Sequence, residues 1–149
     1  IDYAAAIKKE LENFYPAFKA VKDYVVQAPE KTTGWYLPSI GQWYDFTANL
    51  GGLPSWDDAI NEGNDLTPNL YRWSNQTELV SKINAYFEPL GTGNYDAIPN
   101  GSYQKFFSSS TYSDSGIWTW FVGKQANVVQ CWHNVRYNSD SAVRPILAF

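Results

Sequence analysis

The apolar residues of this chain keep two rhythms, in a fixed order, and that order limits the folds available to it. Ile7, Leu11, Phe14, Phe18, Val21 and Val25 recur at spacings of 4, 3, 4, 3 and 4, one face of a helix. Lys8, Lys9, Glu10, Glu12, Lys19, Lys22 and Asp23 fall mostly off that face. Pro16 interrupts the stripe, which predicts a kink or two short helices meeting near Tyr15. Two heptads are too few for a coiled coil, so the stripe is expected to pack on the domain's own core. From Ser102 the helical period is gone. Strands are expected at Ile117–Val122, Asn127–Asn134 and Ala142–Phe149, with turns at Gly123-Lys124 and Asn138-Ser139-Asp140. Helices first and a strand meander last predict an α+β fold.

Between these ends the chain is punctuated. Leu37 precedes Pro38 and should be extended. Ser39 with Gln42 forms a capping box, so a helix is expected from there through Trp43, Phe46 and Ala48 to a stop at Gly51-Gly52. Residues 53–73 are expected to be irregular, with Pro54, Gly63 and Pro68 among them. A further helix is predicted from Gln76 to Phe87, capped by Asn75 with Glu78, striped by Leu79, Ile83 and Phe87, and ended before Pro89. Leu90 to Gly101 reads as loop.

A length of 149 residues suits one domain, residues 1–149, with 1–33 as an N-terminal helical segment. Seven Trp, eleven Tyr and eight Phe are too many rings for a disordered chain. Eleven basic against fifteen acidic residues leave a net charge of −4, which argues against nucleic acid as a partner. The apolar runs are too short to span a membrane, so no direct membrane insertion is expected. The chain has no Met, which suggests a processed chain or a domain excised from a larger protein. One Cys and one His exclude an internal disulfide and a zinc site built of Cys and His ligands.

Chemistry-bearing groups are few. Cys131 and His133 stand two apart on an expected strand and could meet; the commoner meaning is a small buried thiol beside a polar strand residue. Asp57, Asp58, Glu62 and Asp65, with Asn61 and Asn64, offer hard oxygen ligands for calcium, without EF-hand spacing; a solvated loop is the ordinary meaning of such a run. No other cofactor is expected. The same acids, around Asp57 and Asp65, would have to carry a carboxylate-based hydrolase. The rings are the stronger signal. Trp118, Trp120 and Trp132 are interleaved with Thr119, Gln130, Asn134, Tyr137 and Asn138, and stiff rings among short polar groups suit a recognition surface. If Val129, Cys131 and His133 face inward, Gln130, Trp132 and Asn134 face out; with the opposite parity Trp132 is core. The expected contact residues are Thr119, Phe121, Gln130, Trp132, Asn134, Tyr137 and Asn138. Arg144 is read as structural, tying the last strand to backbone carbonyls or an acid.

Three segments carry a resemblance. Gly34-Trp35-Tyr36-Leu37-Pro38-Ser39, followed by a helix with Trp43, resembles the G-W-x-L-P-[ST] signature of bacterial C-type-lectin-like domains. Phe106-Phe107-Ser108-Ser109-Ser110 resembles their W-S-S-[ST] segment, with Phe in place of Trp, and Val143 to Phe149 resembles their closing V-R-P-[VI]-L-A-F strand. The motifs fall in the family's order across residues 34–149. The resemblance implies two main helices flanking a small twisted antiparallel sheet with long loops. Among such relatives, formylglycine-generating enzymes use a pair of cysteines, and this chain has one. Calcium-dependent sugar binders carry E-P-N and W-N-D; here Glu88-Pro89-Leu90 and Trp132-His133-Asn134 break both strings. Nearest in style are bacterial surface and pilus-tip proteins, including the variable proteins of diversity-generating retroelements, whose exposed late-strand positions correspond to about Asp114 to Asn138.

The resulting expectation is a non-enzymatic, extracellular or cell-surface domain, adhesin-like, that docks a protein or glycan on another cell or surface. The alternative is a structural capping or spacer domain in a fimbrial or surface-lipoprotein assembly, partnered by other domains of its parent protein.

Overall fold

A computed structural model describes residues 15–52, 60–61, 71–74, 76–93, 95–100, 104–114, 116–123, 128–135 and 141–148; for 60–61, 71–74, 123, 128, 130 and 132–135 it describes the backbone. The described elements are α1 (Pro16–Lys22), α2 (Ile40–Gly51), β1 (Ile60–Asn61), β2 (Tyr71–Ser74), α3 (Gln76–Ala85), a 3-10 turn (Glu88–Leu90), β3 (Gln104–Thr111), β4 (Gly116–Gly123), β5 (Val128–Val135) and β6 (Ser141–Ala142). The fold is α+β.

Pro16 opens α1 at its first turn, where its missing N–H and fixed φ do no harm, so it starts a helix here. The capping box is present: Gln42 N–H donates to Ser39 Oγ at 3.1 Å and Ser39 N–H to Gln42 Oε1 at 2.9 Å. Gly52 ends α2 in the left-handed region at φ 69, with its N–H donating to Ala48 O. Open space surrounds the position where a Cβ would stand, so Gly52→Ala adds backbone strain alone. It is expected to lower stability by about 1 kcal/mol, read as a shift of the urea midpoint at unchanged m-value. Helix α3 stops at Ala85, and Pro89 lies inside the 3-10 turn that follows. Asn84 then clamps the returning chain: its Nδ2 donates to Ile98 O and its Oδ1 accepts from Ile98 N–H, both at 2.8 Å.

The six strands form one sheet in the order β1-β2-β5-β4-β3-β6. The β4–β5 hairpin is antiparallel over its whole length, with Trp120 opposite Cys131. Three expectations need correction. Strands β1 and β2 lie in the stretch read as irregular, and β3 was not foreseen. The last segment does not continue a meander: β6 sits at the far edge beside β3, parallel to it, so the sheet is mixed. Regular strand there covers only Ser141–Ala142, and the closing residues return as a single bridge, Tyr36 with Ile146.

Helices α2 and α3 share one face of the sheet. Trp43, Tyr44, Leu79, Val80 and Ile83 meet Phe106, Trp120, Val122, Val129 and Cys131 there. On the other face Ala17 and Val21 of α1 pack with Leu37, Phe107 and Ile117. Over β3 and β4 the sheet is therefore covered on both sides, by two helices on one and by α1 on the other.

Candidate functional site

The late strands were expected to present a platform, and β4 does not. Thr119 is 0% exposed and Phe121 8%. Both are buried. Phe107 pairs with Thr119 and Lys105 with Phe121, so Thr119 and Phe121 share the face of Phe107 and Ile117, onto which α1 packs. These two residues are corrected from ligand contacts to interior positions. The signal was in the sequence: Ile117-Trp118-Thr119-Trp120-Phe121-Val122 is a near-continuous apolar run, the mark of a strand covered on both faces rather than on one.

On β5, Val129 and Cys131 face the main core, one of the two parities considered. The register partners of the remaining expected contacts are fixed: Gln130 lies opposite Phe121, Trp132 opposite Thr119 and Asn134 opposite Ile117. Their side chains, and Tyr137 and Asn138 altogether, lie outside the described residues. Of the other rings, Trp120 is core, stacked on Trp43 at 4.9 Å. Trp118 is half-buried and meets Tyr112 edge-on at 5.4 Å.

Cys131 is buried, and burial pushes its thiol up to about 12. At neutral pH it stays protonated, so it is no nucleophile in this state. The side chain of its neighbour, His133, lies outside the described residues, as do Asp57, Asp58, Glu62 and Asp65. Among the described residues no group of three His, Cys, Asp or Glu side chains converges on a metal position. Nor does any described helix have the length and apolar character to cross a membrane.

The three motif segments meet in space. Tyr36 and Ile146 exchange two backbone hydrogen bonds of 3.0 Å, and Ser109 N–H donates to Pro38 O at 2.8 Å. Ile40 N–H donates to Ser110 Oγ at 3.0 Å, and the Trp43 indole N–H to Phe107 O at 3.1 Å. Ser108 turns inward and gives its hydroxyl proton to Trp118 O at 2.7 Å. The serines of this segment thus work as structural hydrogen-bonding groups, joining the start of α2 to β3 and β4.

Arg144 anchors the closing segment as expected, donating to the backbone oxygen of Asp96, and its guanidinium lies over the Phe87 ring at 5.6 Å. Burial lowers its pKa from the ordinary arginine value, opposed by the nearby Asp96 carboxylate. Not foreseen were two clefts that share Arg144 as a wall, one of about 210 Å³ with aromatic sides and one of about 230 Å³ beside Asp96. Residues from position 38 to position 146 build the first, so no local motif announces it.

No family model matches the chain, and no curated protein or solved structure matches it.

Proposed function

We propose that this chain is a non-enzymatic ligand-binding domain of C-type-lectin-like architecture, carried at a bacterial cell surface, that docks a protein or glycan. The observation that carries the reading is the interlock of the three motif segments. Residues at positions 33–43, 106–110 and 144–148 are joined by backbone and serine hydrogen bonds, as a scaffold signature requires. The buried, protonated Cys131 also fits a domain that does no thiol chemistry. With Thr119 and Phe121 inside, the binding surface falls to the β5 positions Gln130, Trp132 and Asn134 and to Tyr137 and Asn138.

The experiment is a glycan array and a cell-binding assay with the purified domain and its Trp132→Ala variant. Saturable binding is expected from the parent and at least about a tenfold loss from the variant, with Tm lowered by less than about 3 °C. A fall of about 10 °C or more with Trp132→Ala would place that ring in the core and overturn the surface.

The second reading, a spacer or capping domain, has its own support. Val25 is 93% and Val26 50% exposed, beside exposed Tyr24 and Phe18. An apolar segment of this kind is suited to cover by another domain of the parent protein. That reading expects protection of residues 18–26 from hydrogen exchange in the full-length protein relative to the isolated domain.

A further inference from the structure

We propose that the aromatic cleft beside Arg144 binds a small carboxylic acid with a flat apolar body, its carboxylate on the guanidinium and its body against Pro38, Phe46, Phe87 and Ile146. This site uses none of the late-strand residues, so its failure and that of the surface proposed above are independent.

Among the described residues that line the cleft, Arg144 is the one that is charged. Its guanidinium offers five N–H donors, and the structure engages it through the bond to Asp96 O and the contact with Phe87. Among the described residues no carboxylate forms an ion pair with it. The Asp96 residue lines the other cleft and not this one. A partly buried cation lying over a ring, with donors to spare, is a fork for a planar two-oxygen acceptor, and carboxylate is that acceptor. The burial that lowers the Arg144 pKa is a desolvation an incoming anion would offset.

The rest of the cleft sets the body of the ligand. The other polar groups among the described walls are already engaged: Gln42 Oε1 accepts from Ser39 N–H, its Nε2 donates to Tyr36 Oη at 2.8 Å, and the Trp43 indole N–H donates to Phe107 O. What remains is apolar, with Phe46 and Phe87 at a ring separation of 6.4 Å and a tilt of 26°. A dry cavity of about 150 Å³ holds benzene, so 210 Å³ admits a phenyl ring and a short linker but not a disaccharide. A ring among offset rings also prefers these walls to an aliphatic chain of equal area.

The test uses 3-phenylpropionate against the wild-type chain, followed by nitrogen–proton NMR at the Trp43 indole N–H and the Arg144 Nε–H. Saturable shifts at these two groups are expected, with a Kd on the order of 1 mM. The neutral 3-phenylpropanamide should bind at least about tenfold more weakly, and Arg144→Gln should abolish the preference for the acid. Equal binding of acid and amide, shifts that do not saturate, or shifts confined to residues outside the cleft would overturn the site. The acid–amide comparison needs no variant, so it decides the matter even where Arg144→Gln does not fold. Tetrapeptides ending in phenylalanine, with a free or an amidated terminus, then distinguish a peptide chain end from a free acid as the source of the carboxylate.

Discussion

Trp43→Ala is expected to remove about 3–5 kcal/mol of stability, a large share of the roughly 5–15 kcal/mol that holds a domain together. Trp43 is 2% exposed and lies parallel to Trp120, with centroids 4.9 Å apart and an interplanar angle of 2°. Phe46 meets it edge-on at 5.5 Å and Phe106 at a tilt, also at 5.5 Å. Three rings would face the void, and stiff rings in a packed sheet-and-helix layer relax little into it. The same change leaves Phe107 O without its indole donor. Urea unfolding followed by far-ultraviolet circular dichroism measures the loss. A value under about 1.5 kcal/mol would mean that these four rings are not the centre of the core. Trp120→Phe supplies the contrast. The Trp120 indole N–H is buried with no acceptor among the described residues, so phenylalanine removes no hydrogen bond. It is expected to lower stability by no more than about half the Trp43→Ala effect.

The Cys131 thiol is expected to react with a disulfide reagent about a thousandfold more slowly in the native chain than in urea. Burial raises its pKa from 9.0 to about 12, three units less favourable to the reactive thiolate, before limited access is counted. The same shift has a stability consequence. Above pH 9 the unfolded chain releases this proton while the folded chain keeps it, so the unfolded state binds fewer protons and is stabilised relative to the folded state with each pH step. The stabilising contribution is complete below about pH 9 and is lost as pH rises toward about 12, at up to about 1.4 kcal/mol per unit. Tyrosines and lysines titrate in the same range, so the measurement is the difference between the parent and Cys131→Ala across pH 8 to about 11. A parent and variant that lose stability in parallel would mean that Cys131 is open to solvent.

What local chemistry dictates was legible. The Ser39–Gln42 box and Gly52 bound α2 where the sequence placed them, because a cap is written in residues at most four apart. The β4 and β5 strands fall within a residue or two of their expected spans, since aromatic and β-branched content acts strand by strand. Arg144 was read from sequence as tying the closing strand to backbone carbonyls or an acid, and it donates to the Asp96 backbone oxygen. Less legible were β1 and β2, where two- and four-residue strands carry too little alternation to stand out. Strand β3 was hidden by its serines, whose hydroxyls satisfy backbone groups of neighbouring segments and so resemble loop chemistry in sequence.

The amino-acid order alone determined the class of fold and the ends of α2. Tertiary structure decided which surfaces remain. Alternation assigns neighbours in a strand to opposite faces but is silent on whether both faces are covered. Here α2 and α3 cover one and α1 meets the other, so Thr119 and Phe121 are interior despite correct strand placement. The position of β6 was likewise a long-range choice: pairing beside β3 brings Arg144 to Asp96 and Phe87. The Arg144 cleft is a long-range product in the same way, because its described walls come from three separate stretches of chain that nothing in local sequence ties together.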